Sequence, residues 1–217
     1  MRSLIKYNLK IIARINYFVG WVFLICIPIF CDFNFLNESE VIKISEYVFT
    51  IIGVIWFAGL FSYEKKYNVK DLVQQMPKYQ KLIFIIRILF ILFSMLTGFI
   101  ILLIFAKMQN AVFDFEKILY SSMTNSFLLG MVALLFSQLT KEVVAGYMIS
   151  FFYYYFEVIT KGSFTKYFYL FGLVFDIPYN KILLMSVGII LLVINFILFK
   201  SDYYFKLKPI IVTKRLL

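Results

Sequence analysis

Residues 62–81 read SYEKKYNVKDLVQQMPKYQK, the longest polar interruption in a chain that is otherwise largely apolar. Lys65, Lys66, Lys70, Lys78 and Lys81 outnumber the acids Glu64 and Asp71. Within the stretch, Val69, Leu72, Val73 and Met76 fall at i, i+3, i+4 and i+7, which puts all four on one face of a short helix. Pro77 ends that helix, because proline disfavours helical geometry in the preceding residue and has no N–H to donate. The stretch therefore reads as a short amphipathic helix between two apolar runs, with an apolar face to offer to a partner.

Around it, the chain has 217 residues, of which 63% are hydrophobic and 21% aromatic, with a mean hydropathy of +0.89. A soluble core of this size cannot hide so much apolar surface. The chain reads as an all-α integral membrane protein, a single transmembrane domain over residues 1–217 covered by the lipid bilayer. The formal charge of +10 forms no patch or groove for nucleic acid. Its basic residues stand between apolar runs, where they set orientation.

Six apolar runs can be drawn, at about residues 17–31, 47–61 (extendable at either end), 82–106, 118–139, 143–160 and 182–199. The first is short against the roughly 20 residues a span needs. It follows Arg2, Lys6, Lys10 and Arg14, a basic stripe at every fourth residue, with Leu4, Ile5, Leu9, Ile12 and Ile15 around the rest of the circumference. Residues 1–16 thus read as an interfacial amphipathic helix; no small-x-small cleavage site follows, so they do not read as a signal peptide. Residues 162–181, GSFTKYFYLFGLVFDIPYNK, are apolar and aromatic but broken by Gly172 and Pro178. The element at 161–181 reads as broken re-entrant or extracellular helices before the sixth span.

Charge fixes the expected direction. With the N-terminus inside, six spans return the C-terminus inside as well. The inner segments then hold fifteen basic residues against four acids, and the outer segments six against eight. That asymmetry follows the positive-inside rule and places both termini and residues 63–81 in the cytosol of a cell, with the chain in the cytoplasmic membrane. The lysine-rich, aromatic, histidine-free composition suits a bacterium.

Enzymatic readings find little to stand on. The chain has no histidine, so a Ser-His triad, a zinc-protease motif and a histidine relay are excluded. It has no G-x-x-x-x-G-K-[ST], so it does not bind ATP through a P-loop. Cys26 and Cys31 fall in or at the end of the first run and read as buried apolar thiols. No metal ligand set is apparent. Small residues recur at a four-residue step at Ser122, Ser126 and Gly130, at Gly146 and Ser150, and at Ser94 and Gly98; such faces let helices approach closely in lipid. Arg87 stands early in the third run and reads as a snorkelling side chain near a helix end. The run Phe151 to Phe156, followed by Glu157, reads either as an aromatic belt at the outer interface or as a wall of a translocation path. In the second reading Phe152, Tyr153, Tyr155, Phe156 and Glu157 offer aromatic faces and one carboxylate to a greasy, cationic cargo.

The order of parts resembles the permease subunits of type-2 ATP-binding-cassette (ABC) exporters over nearly the whole chain. The local match is Glu64 followed by KDLVQQMPKYQKLIFIIRIL from Lys70: an acid after span two, a leucine-containing helix, a proline turn and a basic residue entering span three. Gln80 stands where the family usually has glycine, and Lys65 and Lys66 where it has small residues. The resemblance implies a coupling helix between spans two and three, with Glu64, Val69, Asp71, Leu72, Val73, Met76 and Pro77 docking on a cytosolic ABC ATPase present in two copies. It implies a second permease copy or paralogue, ATP and magnesium held by the ATPase, no cofactor in this chain, and no enzymatic activity of its own. The nearly uncharged runs point to a lipophilic or amphipathic cargo, first of all a peptide such as a toxin or antimicrobial. The alternative is a non-transporting membrane protein, such as an immunity or assembly factor.

Overall fold

A computed structural model of the chain describes residues 15–60, 77–175 and 180–213. The described residues are helical and contain no strand. In chain order the helices are α1 (Ile15–Phe30), α2 (Glu38–Ala58), α3 (Pro77–Met108), α4 (Phe115–Thr140), α5 (Val143–Thr160) and α6 (Asn180–Thr213). Five of them, α2 to α6, are long and apolar enough to cross a membrane, and α1 is a shorter apolar helix. By length and composition this is a multi-pass membrane protein.

The ends of the helices follow local chemistry. Asp114 caps α4, its carboxylate accepting from the backbone N–H groups of Glu116 (3.1 Å) and Lys117 (3.4 Å). The Asn37 N–H at the start of α2 donates to Glu40 Oε2 (3.0 Å). Both caps satisfy polar groups that a helix end leaves without partners. Pro77 is the first residue of α3, the position where its missing N–H costs nothing. Lys141 ends α4 in the left-handed region (φ 64°), and α5 starts two residues later, so the two helices are tight antiparallel neighbours. At one end of the bundle, residues 31–37 and 109–114 pair through Phe35 N–H to Gln109 O (3.0 Å) and Val112 N–H to Leu36 O (3.1 Å).

Helices α2 and α4 form the centre, and α5 and α6 mostly face outward. Gly53 of α2 lies directly against the Ser126 carbonyl of α4, and Gly130 of α4 lies against Phe57 of α2. Ser126 Oγ donates to the Phe49 carbonyl across the same contact (3.1 Å). Gly146 meets the Ala133 carbonyl, bringing α5 onto α4, while Gly98 of α3 meets Leu24 of α1. The small-residue steps thus serve contacts within the chain, as close packing in lipid requires. Around this centre, Trp56 donates to the Tyr17 carbonyl (3.1 Å) and stacks on its ring, which fixes α1 against α2. Phe49 stacks on Phe99, holding α3 against the other side of α2.

The polar stretch at 61–76 lies outside the described residues, as do residues 1–14, so the interfacial helix and the residues Glu64, Val69, Asp71, Leu72, Val73 and Met76 have no structural account. The described part of the element before α6, up to residue 175, consists of turns and two short 3-10 helices, Lys166–Phe168 and Gly172–Phe175. Tyr169, Leu170 and Phe171 between them are fully buried.

Candidate functional site, a buried charge cluster

Glu46 sits in a π-helical turn, Ile44–Phe49, inside α2. The wider turn brings both Ser45 and Glu46 into the interior. Single π turns inside α-helices recur at functional positions because they re-aim a side chain. Ser45 Oγ bonds the Ile42 carbonyl (2.9 Å), and Thr50 Oγ1 bonds the Glu46 carbonyl (2.5 Å), so side chains satisfy backbone oxygens around the disturbed turn.

The Glu46 carboxylate is 0% exposed and forms an ion pair with Lys181, which is 2% exposed at the start of α6. Each N–H of the ammonium has an acceptor: Glu46 Oε1, Asn125 Oδ1 of α4 (2.8 Å) and the Leu170 carbonyl (2.7 Å). Ser121 Oγ donates to Glu46 Oε1 (2.5 Å), and the Val174 N–H donates to Glu46 Oε2 (3.2 Å). Taking two charges out of water costs several kcal/mol per ion, and their attraction offsets this only when the remaining hydrogen bonds are also made. Here they are made. The cluster holds no unengaged acid, base or nucleophile. Its immediate effect is to tie α2, α4, α6 and the 170–174 backbone to one point.

These charges revise the sequence expectation. The runs drawn at 47–61 and 182–199 stop one residue short of Glu46 and Lys181, yet α2 and α6 take both in, and with Arg87 of α3 they are buried among the helices. Arg87, expected to snorkel, is 1% exposed, and its Nη1 donates to the Leu60 carbonyl at the end of α2 (3.5 Å). The inference of a lipophilic cargo loses the support it drew from uncharged spans. The clue lay in α4, where Ser121, Ser122, Thr124, Asn125 and Ser126 form an almost unbroken polar run inside an apolar helix.

The aromatic run divides between two faces. Phe152 (73% exposed) and Tyr155 (59%) point away from the bundle, and Phe156 stacks on Phe152. Tyr153 and Glu157 turn toward the element before α6: Tyr153 Oη donates to the Phe168 carbonyl (3.5 Å), and Thr165 Oγ1 donates to Glu157 Oε2 (3.0 Å). Glu157 is 0% exposed. Beside it, burial pushes the Tyr169 phenol well above its ordinary value, and the neighbouring Tyr47, Glu157 and Glu46 push it further in the same direction. Among the described residues, no group of His, Cys, Asp and Glu is placed to hold a metal ion. No family model matches this chain, and no curated protein or solved structure is significantly similar to it.

Proposed function

We propose that the chain is the membrane-spanning subunit of an ATP-driven exporter of the type-2 ABC kind, with ATP hydrolysed in a separate cytosolic subunit. The observation that carries the reading is the placement of α2. It leads directly into the polar stretch at 61–76, is buried among α1, α3 and α4, and holds Glu46 in the charge cluster toward its other end. A close-packed helix transmits displacement instead of absorbing it. A push on the 61–76 stretch would therefore reach the far end of the bundle.

In this reading the apolar face of Val69, Leu72, Val73 and Met76 sits in a groove of the ATPase, with Glu64, Asp71 and Pro77 framing it, a helix-in-groove contact. Two such chains, or this one and a paralogue, flank the path in the cytoplasmic membrane with two ATPase subunits beneath. The cargo is an amphipathic or lipophilic molecule, first a peptide. Phe152, Tyr155 and Phe156 supply aromatic contact area on the outward side of α5.

The test is co-expression with a cytosolic ABC ATPase from the same genome, followed by purification in lipid discs. The wild-type chain should co-purify with the ATPase and raise its ATP hydrolysis when a cargo peptide is added. Leu72→Asp with Val73→Asp should abolish both. Unchanged association and unchanged coupled hydrolysis in that double variant would remove the reading.

A further inference from the structure

We infer that residues 162–175 are a plug that closes one end of the bundle, and that the Glu46–Lys181 pair is its latch. The plug lies at the Glu38 end of α2, and the 61–76 stretch continues from the Ala58 end. Its residues Tyr169, Leu170 and Phe171 are buried like core, yet only two short 3-10 turns organise its backbone. Irregular backbone at such depth persists only where its polar groups find partners in the protein.

Side chains from the surrounding helices supply those partners. Lys181 takes the Leu170 carbonyl, and Glu46 takes the Val174 N–H. Asn180 Nδ2 donates to the Lys166 carbonyl (3.0 Å) and Tyr153 Oη to the Phe168 carbonyl (3.5 Å), while the Thr165 hydroxyl of the segment donates to Glu157. Tyr169, Leu170 and Phe171 pack into the core, and these few polar side chains, in place of a backbone ladder, fix the segment's backbone against the helices; with them withdrawn, apolar packing alone holds it. The ion pair makes the release two-state. Closed, each charge has the other; open, each has water; a half-broken pair leaves one charge buried alone. The latch rests on the fold alone. Its service as the exit of a transport path rests on the exporter reading.

The experiment contains no nucleotide or ATPase, so its failure and that of the exporter reading are separate. In a background with Cys26 and Cys31 replaced by alanine, Leu173→Cys in the plug and Leu129→Cys in the core of α4 are each probed with a water-soluble maleimide. The full chain is held in lipid discs. Both positions should be protected in the otherwise wild-type chain. Adding Lys181→Met or Glu46→Gln should speed labelling at position 173 at least tenfold, with position 129 still protected. Continued protection of position 173 in both variants would overturn the latch. So would a parallel rise at both positions, because the pair would then be an ordinary member of the core.

Discussion

Gly53 and Gly98 both lie at helix contacts, but a methyl group added to each would meet different obstacles. At Gly53 it would come within 1.8 Å of the Ser126 backbone carbonyl; at Gly98 it would meet the tip of Leu24 at 2.7 Å. A backbone cannot step aside without moving α2 off α4, whereas a leucine tip can turn. Gly53→Ala should therefore destabilise the protein by about 1–3 kcal/mol, as overpacking does, and Gly98→Ala by clearly less. Thermal unfolding of the two variants in one detergent, side by side, checks the order. Tyr169 carries a pH signature at the same scale. Its phenol is held above the ordinary value near 10, so the unfolded chain releases that proton first as pH rises. The stability this gives is complete below about pH 10 and is lost progressively above it. Tyr169→Phe should show a shallower loss of stability over that alkaline range, read from melting temperatures at successive pH values.

Among the elements, α5 was the most legible in the sequence. The apolar run drawn at 143–160 has the same bounds as the helix, because Glu142 and Lys161 flank it. By contrast, α2 was drawn from residue 47 but starts at Glu38. Glu38, Glu40, Lys43 and Glu46 read as a polar loop because hydropathy weighs a charge without knowing its partner. Glu46 meets its counter-charge from the start of the last helix, which no local window can see. α6 runs on as helix to Thr213, well past the apolar run drawn to residue 199, since a helix needs no apolar side chains once it leaves lipid. Asp114 ahead of Glu116 is a start signal for α4 visible in the sequence itself. Asp114→Ala should cost about 1 kcal/mol and Asp114→Asn much less, because asparagine keeps the accepting oxygen. Denaturant titration of the two variants decides it.

For the molecule as a whole, the alternation of helices fixes which ends lie together. Residues 31–37, 109–114 and 161–175 fall at one end, where the Phe35 to Gln109 hydrogen bond joins the first two and the Val174 N–H to Glu46 hydrogen bond ties the third to α2. Residues 141–142, the end of α2 and the start of α3 fall at the other. The positive-inside rule, under which basic loops remain inside during insertion, sets the expected cytosolic end. The link from residue 61 to residue 81 carries five lysines and two acids, whereas the stretch from residue 109 to residue 116 carries two acids and no basic residue. In intact cells expressing single-cysteine chains on a Cys26→Ala, Cys31→Ala background, a membrane-impermeant maleimide should therefore label Asn34→Cys and Ser163→Cys. Lys141→Cys should label only after lysis. The reverse pattern would invert the orientation and put the 61–76 stretch out of reach of any cytosolic ATPase. Labelling of Ser163→Cys and Lys141→Cys from the same side would deny that α5 crosses, a stricter result, since α5 is the shortest of the crossing candidates and is barely buried by its neighbours. The two failures differ in consequence: the first removes the exporter and leaves the plug intact, and the second removes the bundle end that the plug closes.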